Sequence, residues 1–520
     1  MISLEAFTLL SGGALIGGEL LAMLLKNKRV DKQATAEIKG IESLKSFTGN
    51  DGLKISRNVQ LKEKMDFEGC CIIAPTGAGK TTGYFYPNLL SNDLKGSIVV
   101  IDPKGELYRD TSHFQEKVCK RKVLRFSPLE PKISERYNLL EQCKDTTEVC
   151  QLASTLLLNG ALSVELISGK KTGGVEWIQM AEPLLAAALL YVRDLGEPYN
   201  TIENAFELVI SLKPKELRTL LGNCKNKDVV TQFRIFQCAG GSERTIGSIK
   251  VTLATNMKLF TDKNINIVGS YTTFNAKQFR EEPTILYLTF PERKSIYLAP
   301  FIAPFFAQFI DKLLDSYTRN ILPVHFLMDE FANIGMINNM SVHAATVRSR
   351  KISLSICLQS ITQLQQVYGK DNAQAILNNL KTKLILPSLN DLDTLNYISN
   401  LCGNTEITVK SKSVSKETTI SYSKTTKKLL NLDEIRCLKD NKILILMHNR
   451  QPVIDEQDIY YKNKDYISNV NEREDIKVNY KNINTNEFER ILRNKVKIDL
   501  EKQIENFEEP KKDLGTELFE

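Results

Sequence analysis

The segment that most constrains the fold of this 520-residue chain joins an apolar run to a glycine-containing turn. Residues 69–73 read Gly-Cys-Cys-Ile-Ile, and residues 74–82 read Ala-Pro-Thr-Gly-Ala-Gly-Lys-Thr-Thr. A buried strand that passes through such a turn into a helix is the layout of a phosphate-binding loop. The segment therefore predicts an α/β fold in which the run before the turn is a buried strand.

The residues of the turn predict a site for the phosphates of a nucleoside triphosphate. Gly77 and Gly79 allow the backbone to turn tightly and to direct its N–H groups inward. Lys80 can reach the β- and γ-phosphates, and the Thr81 hydroxyl can ligate Mg²⁺. The predicted binding residues are Thr76, Gly77, Ala78, Gly79, Lys80, Thr81 and Thr82, and the predicted ligands are ATP and Mg²⁺.

The match is to a loose form of the motif, because Ala74 stands where the strict pattern has glycine. The alternative is a chance glycine-lysine turn between a strand and a helix. The strand-like run before the turn and the helical pattern after it favour the phosphate loop.

A second acidic element completes the predicted catalytic set. The apolar run from Pro323 to Met328 ends in Asp329-Glu330. Phosphate-loop enzymes place an aspartate at the end of such a strand to hold Mg²⁺, and a neighbouring glutamate can act as the general base that activates water. The alternative is an acidic pair at the start of a helix, which is common. Together with the loop, the pair predicts Asp329 as a metal ligand and Glu330 as the base.

The composition is that of an ordinary globular protein. The chain can form two or three domains with ordinary cores, since 42% of its residues are hydrophobic and 25% are charged. Its net charge of +7 is compatible with a nucleic-acid partner. The ten cysteines form no Cys-x-x-Cys pair, so we expect reduced thiols and no zinc site.

The N-terminal segment predicts a membrane anchor over residues 1–32. From Ala6 to Leu25 the only charged residue is Glu19, and the length suits one membrane crossing. The basic residues that follow, Lys26, Lys28, Arg29 and Lys32, would keep the rest of the chain in the cytoplasm. The alternative is a soluble amphipathic helix.

The order of apolar runs predicts a nucleotide-binding domain in two parts. Strand and helix patterns alternate over residues 33–145, which implies a parallel sheet, and strand-like runs resume over residues 276–460. Helical periodicity dominates residues 146–275, so we predict an inserted all-α domain there. Residues 461–520 form a charged extension in which Phe488, Leu492, Val496, Leu500 and Ile504 predict one amphipathic helix, followed by an acidic tail.

The stretch from Val409 to Lys428 is rich in serine, threonine and lysine and contains one acidic residue. It reads as an exposed basic loop or hairpin. Two interpretations remain open, a segment that faces nucleic acid and a solvated linker.

Four motifs in order resemble the VirD4/TraG family, the coupling-protein ATPases of type IV secretion and conjugation. They are Ala74–Thr82, Asp102-Pro103-Lys104-Gly105-Glu106, Asp329-Glu330-Phe331-Ala332-Asn333-Ile334-Gly335, and Gln359-Ser360-Ile361-Thr362-Gln363-Leu364 with Tyr368-Gly369. The similarity extends over about residues 40–460. The second and third motifs, in this order, are the most specific.

The resemblance implies a RecA-like motor domain interrupted by an all-α domain, assembled as a homo-hexamer on the cytoplasmic face of the cell membrane. Such a ring recruits a relaxase-bound single DNA strand, or a protein substrate, and passes it to the secretion channel with ATP hydrolysis. Family members usually have two N-terminal membrane helices, whereas this chain offers at most one.

The resemblance also implies roles for residues that composition cannot assign. Gln359 matches the family's Gln-x-x-x-Gln-Leu pattern and is expected to sense the γ-phosphate. A ring ATPase takes an arginine from the neighbouring subunit, and Arg348 and Arg350 are candidates because they lie between Glu330 and the next strand. The alternative, which stays open, is that they are ordinary surface arginines or arginines that contact DNA.

Three other functions fit parts of the sequence. A superfamily 2 helicase has a similar phosphate loop, but it places the acidic motif nearer and needs a second RecA-like domain. A coupling ATPase for protein effectors fits the same motifs. A receptor in which nucleotide only holds the ring together would have no need of Glu330.

Overall fold

The computed structural model describes residues 34–169, 174–239, 242–414, 418–480 and 487–508. The predicted membrane anchor and the acidic end of the chain lie outside these residues. Thirteen strands are described: β1 Lys54–Ser56, β2 Val59–Gln60, β3 Cys70–Ile73, β4 Ser97–Asp102, β5 Lys122–Phe126, β6 Thr284–Thr289, β7 Val324–Met328, β8 Ile352–Leu358, β9 Thr382–Ile385, β10 Asn404–Val414, β11 Thr418–Lys428, β12 Lys442–Met447 and β13 Val453–Glu456.

Nine of these strands form one sheet in the order β13-β12-β9-β3-β8-β7-β4-β6-β5. The strand before the phosphate loop, β3, lies between β8 and β9 and is parallel to both. Its four residues are all buried, as are those of β4, β6, β7 and β8. Continuous burial explains why these strands read as uninterrupted apolar runs.

The expectation of a purely parallel sheet was incomplete. Seven strands are parallel, but β12 runs antiparallel to β9, and β13 runs antiparallel to β12. An antiparallel edge is common on an otherwise parallel sheet. The strand β13 was not predicted, because it has only four residues and ends in Asp455-Glu456.

Helices cover both faces of the sheet. Alternate residues of one strand belong to different cores: Cys71 and Ile73 face one hydrophobic cluster, while Cys70 and Ile72 face the other. The α-helices are Glu63–Asp66, Tyr86–Leu89, Glu106–Lys117, Thr146–Ser168, Val175–Leu195, Ile202–Ser211, Pro214–Gly222, Lys227–Ala239, Glu243–Asn256, Lys263–Val268, Gln278–Glu281, Ser295–Asp315, Met340–Thr346, Ile361–Tyr368, Lys370–Asn379, Leu392–Cys402, Leu432–Arg436, Lys464–Asn469 and Phe488–Glu508.

Between β5 and β6 the elements that the structure describes are helices. Their core is continuous with that of helix Ser295–Asp315, which lies between β6 and β7 in the chain and packs against helix Thr146–Ser168. A shared core gives no sharp limit between two units, so the domain boundaries stay a prediction.

Three described helices are long and apolar enough to span a membrane: Thr146–Ser168, Val175–Leu195 and Glu292–Asp315. In the folded chain, 50%, 61% and 72% of their apolar stretches are buried in protein. Packing within the protein therefore accounts for much of their apolar composition.

The predicted terminal helix is present as Phe488–Glu508. Phe488, Leu492 and Val496 are buried, and the helix packs against Ile202–Ser211 and Pro214–Gly222. The basic stretch near residue 410 forms the antiparallel hairpin β10-β11 rather than an irregular loop.

Candidate nucleotide site

The phosphate loop lies at the carboxyl edge of the sheet, where β3 ends. Its two glycines adopt conformations that other residues rarely adopt, with φ of +82° at Gly77 and +91° at Gly79. A Cβ at Gly79 would also lie 2.8 Å from Oε1 of Gln457. The loop leads into a helical turn at Thr81–Phe85 that continues into helix Tyr86–Leu89. Strand, turn and helix follow one another as the motif requires.

The predicted catalytic residues converge although 250 positions separate Lys80 from Glu330. Lys80 Nζ contacts Glu330 Oε1 and lies 3.1 Å from Asp329 Oδ1. Their side chains are 11%, 6% and 9% exposed, respectively, so the ion pairs are shielded from water. Lys80 comes close to Asp329 and Glu330 because of the strand order. The strands β3 and β7 are parallel and are separated only by β8, so their carboxyl ends lie at the same edge of the sheet.

Glu330 is held by several contacts. Its backbone has a left-handed conformation with φ of +55°, which is uncommon for a residue with a side chain. Its amide donates to Asp329 Oδ1 at 3.0 Å. Nδ2 of Asn333 donates to Oε2 at 3.1 Å, and Nε2 of Gln359 donates to both carboxylate oxygens at 3.1 and 3.0 Å. These contacts orient the carboxylate toward Lys80.

Burial raises the pKa of two aspartates at the carboxyl edge of the sheet. Burial raises the pKa of Asp329, and the positive charge of Lys80 opposes that rise. Burial also raises the pKa of Asp102 to about 7, although the Tyr108 amide donates to Asp102 Oδ2 at 2.8 Å and opposes the shift. Asp102 ends β4 and therefore lines the same sheet edge as the phosphate loop.

The donor set fits Mg²⁺ bound together with a substrate. Thr81 and Asp329 both line the cavity beside the loop. Within the described ranges, no group of three His, Cys, Asp or Glu side chains could hold a metal by itself. Magnesium usually takes one or two carboxylates, with waters and substrate phosphates completing its shell. One carboxylate and one hydroxyl beside a phosphate loop match that requirement.

The cavity has a volume of about 580 Å³. All seven predicted binding residues from Thr76 to Thr82 line it, as do Asp329 and Glu330. Gln359 contacts the site through Glu330. Eight lining residues were not predicted: Leu107, Glu292, Asp440, Asn441, Gln457, Ile459, Tyr461 and Lys462.

Most of the unpredicted lining residues flank the two antiparallel strands, β12 and β13. Gln457 follows β13, and its Nε2 donates to the carbonyls of Asp440 at 2.7 Å and Lys442 at 3.2 Å. This places its side-chain oxygen over Gly79. Nearly 380 residues separate the two positions, and no motif marks Gln457, so only the folded chain connects them.

The two candidate arginines lie at the opposite edge of the sheet. The turn Val347–Arg350 precedes β8, which is parallel to β3, whereas the phosphate loop follows β3. Arg348 is 65% exposed and its Nη2 lies 3.0 Å from Glu68 Oε1. Arg350 stacks on the ring of Tyr317 at 5.1 Å. Neither arginine is placed to reach the nucleotide site of its own chain.

The comparisons with known proteins agree with this geometry. A family model described as type IV secretory system conjugative DNA transfer matches residues 25–483. Protein VirD4 of Agrobacterium fabrum (strain C58 / ATCC 33970) is 27% identical over 409 residues, which cover 76% of this chain and 58% of VirD4. The chain thus spans less than two thirds of the length of that relative.

Two solved structures share the fold. The plasmid coupling protein TrwB in complex with the ATP analogue ADPNP has a TM-score of 0.63 and 17% identity, over 82% of this chain and 95% of TrwB. TrwB in complex with ADP and Mg²⁺ has a TM-score of 0.59 and 16% identity, over 82% and 94%. The likeness confirms the predicted RecA-like fold with an all-α domain.

Proposed function

Since the chain belongs to the type IV secretory system family for conjugative DNA transfer, we propose that it is a coupling protein. In this role it is an ATP-driven motor that recruits relaxase-bound single-stranded DNA and delivers it to the secretion channel. The observation that carries the proposal is the convergence of Lys80, Asp329 and Glu330 on one cavity beside the phosphate loop, with Gln359 bonded to Glu330.

Nucleotide binding follows from the loop. The backbone of residues 76–80 holds the phosphates of ATP, and Lys80 neutralises part of their charge. Thr81 and Asp329 hold Mg²⁺. When bound, the ion neutralises charge on the phosphates. The two TrwB structures, one in complex with an ATP analogue and the other with ADP and Mg²⁺, support the same assignment.

The side-chain geometry supports a hydrolytic role for Glu330. In the structure, Lys80 is paired with Glu330 and Asp329. The phosphates of ATP compete for Lys80 and release the Glu330 carboxylate to accept a proton from water. Gln359 and Asn333 keep that carboxylate in place. Gln359 starts the segment that leads into helix Ile361–Tyr368, so a change at the γ-phosphate can move this helix.

A homo-hexameric ring on the cytoplasmic face of the membrane completes the proposal. Arg348 is exposed at the amino ends of the strands, out of reach of the site in its own chain, so it could act in catalysis only from a neighbouring subunit. Residues 1–32 would anchor the ring near the secretion channel. A protein cargo, a superfamily 2 helicase and a nucleotide-bound receptor remain alternatives that no observation in the structure favours.

The test is ATP hydrolysis by the full chain in detergent, with and without single-stranded DNA. We expect DNA to stimulate hydrolysis, and we expect Lys80→Ala and Glu330→Gln to lower kcat by about 10²- to 10⁴-fold. Glu330→Gln should still bind nucleotide, since the phosphate loop is intact. Glu281→Gln is a matched control, because the Glu281 side chain is 60% exposed and lies outside the cavity.

Two outcomes would contradict parts of the proposal. If DNA does not stimulate hydrolysis by the wild type, and both variants lose hydrolysis, the cargo would be a protein rather than DNA. A hexameric wild-type chain that binds ATP and does not hydrolyse it, with or without DNA, would support the receptor alternative.

A further inference from the structure

The hairpin β10-β11 extends from the body of the protein as a two-stranded ribbon. Each strand has 11 residues, which corresponds to about 37 Å at 3.4 Å per residue. Its base is attached: Ala36 N donates to Asn404 O at 3.1 Å, and Lys428 Nζ donates to Asn400 Oδ1 at 2.7 Å. Farther out, residues 408–411 and 420–427 are exposed. Both faces of the outer ribbon are therefore open to a partner.

The register of the hairpin sorts its side chains onto two different faces. Lys410 pairs with Tyr422, Thr408 with Lys424, and Glu406 with Thr426, so these side chains share one face. We call it the Lys410–Tyr422 face. The other face carries a different set: Ile407, Val409, Ser411, Ser421, Ser423, Thr425 and Lys427.

The Lys410–Tyr422 face combines cations with an open aromatic ring. Tyr422 is 67% exposed, and Lys410 Nζ lies 6.0 Å from the centre of its ring. Lys424 Nζ pairs with Glu406 Oε1 at 2.8 Å, so these two charges offset each other. Residues 404–428 contain six lysines and two glutamates, which makes the segment complementary to a polyanion.

An isolated two-stranded ribbon is marginally stable in water, so an exposed one of this length gains from a bound partner. Proteins that bind single-stranded nucleic acid pair cations along the backbone with aromatic rings on which bases stack. A duplex would not present the faces of its bases to Tyr422. The combination of lysines and an accessible ring therefore favours a single strand.

We propose that the Lys410–Tyr422 face binds single-stranded DNA, with Lys410 contacting a phosphate and the Tyr422 ring stacking on a base. The inference rests on the proposed function and adds the surface that contacts the cargo. Binding at this face is largely independent of base sequence, because phosphates and ring faces are common to all nucleotides.

The experiment measures binding of a fluorescent 30-nucleotide oligo(dT) to the full chain by anisotropy at several salt concentrations. Lys410→Ala should weaken binding and reduce the slope of log affinity against log salt by about 0.7, which corresponds to one phosphate contact. Lys427→Ala is the matched control, since it removes one exposed lysine from the opposite face of the same ribbon. It should leave the slope unchanged.

A second pair of variants tests stacking. Tyr422→Ala should weaken binding about tenfold, and Tyr422→Phe should bind like the wild type because the ring is retained. Hydrolysis without DNA should be unchanged in every variant, which shows that each one folds.

The outcomes separate this inference from the proposed function. Equal losses in Lys410→Ala and Lys427→Ala, or wild-type binding in Tyr422→Ala, would overturn the Lys410–Tyr422 face while leaving a DNA cargo in place. Tighter binding of a duplex of equal length would overturn the single-strand assignment. A wild-type chain that does not bind oligo(dT) would overturn both proposals.

Discussion

At the scale of single residues, the site depends on how Glu330 is held. A general base must point at the water that it activates, and here a strained backbone and three side chains restrict it. The position of Glu330 after a buried strand could be predicted from the Asp-Glu pair that follows an apolar run, and its role as the base stays a prediction. Its contact with Lys80 could not be predicted, because nothing in a linear pattern measures the distance between strand ends.

Gln359 is expected to act through Glu330 rather than through nucleotide affinity. Its amide donates to both carboxylate oxygens. We predict that Gln359→Ala lowers kcat by about ten- to a hundredfold, because a misplaced catalytic group is costly, and changes the Kd for nucleotide little. Steady-state kinetics with a separate nucleotide-binding titration checks both values.

The neighbouring Gln363 supplies the control. Its Nε2 donates to Gln359 Oε1 at 3.3 Å and has no described hydrogen bond to Glu330. Gln363→Ala should therefore have a much smaller effect on kcat. If Gln359→Ala weakened nucleotide binding and left kcat unchanged, the positioning role would be wrong.

At the scale of elements, the site is built mainly at the carboxyl ends of parallel strands. Asp102, Asp329 and Gln359 each follow or end a strand, and parallel strands bring those ends to one edge. The strands themselves were predictable, because full burial leaves continuous apolar runs. The antiparallel pair β12-β13, which carries Gln457 to the loop, was only half predictable, because β13 is short and partly polar.

The terminal helix is an element whose docking can be tested. Leu492 is 2% exposed in its contact with the all-helical region, whereas Ile498 on the same helix is 49% exposed. We predict that Leu492→Ala lowers the local free energy of opening of helix Phe488–Glu508 by about 2–5 kcal/mol, the usual cost of removing a buried leucine side chain. Hydrogen exchange of the helix amides measures this change.

Ile498→Ala provides the comparison, with an expected effect within about 0.5 kcal/mol because the side chain is already solvated. Equal acceleration of exchange in the two variants would mean that the helix is not held by its buried face.

At the scale of the whole molecule, the nucleotide cavity and Arg348 lie at opposite edges of the sheet. In the proposed ring, Arg348 of one subunit would act at the nucleotide site of the next. Glu68 Oε1 lies 3.0 Å from Arg348 Nη2, and Glu68 Oε2 lies 2.6 Å from His448 Nε2. Assembly would have to draw Arg348 away from this carboxylate.

We predict that Arg348→Ala lowers hydrolysis about 10³-fold and leaves nucleotide binding unchanged, since an arginine supplied in trans acts on the transition state. Arg350→Ala should retain most activity, because Arg350 stacks on Tyr317. Mixing Arg348→Ala with Lys80→Ala subunits should restore part of the activity, because the second variant still carries Arg348. Mixed rings without any recovery would contradict a role in trans.

The sequence by itself determined the local chemistry of this protein. The phosphate loop, the Asp329-Glu330 pair, the buried strands and the terminal helix are each encoded within a short stretch, where apolar periodicity and turn residues act between near neighbours. The match to a family motif then singled out Gln359, and position in the chain suggested the candidate arginines.

Only the tertiary structure decided which of these residues meet. Strand order brings Lys80 and Glu330 into contact, places Gln457 over Gly79 and separates Arg348 from the cavity of its own chain. These distances depend on contacts between residues that lie far apart in the chain, and burial of the whole core stabilises those contacts. A pattern within a short stretch of sequence therefore cannot predict them. The register of β10-β11 is a similar case: it decided that Lys410 and Tyr422 share a face.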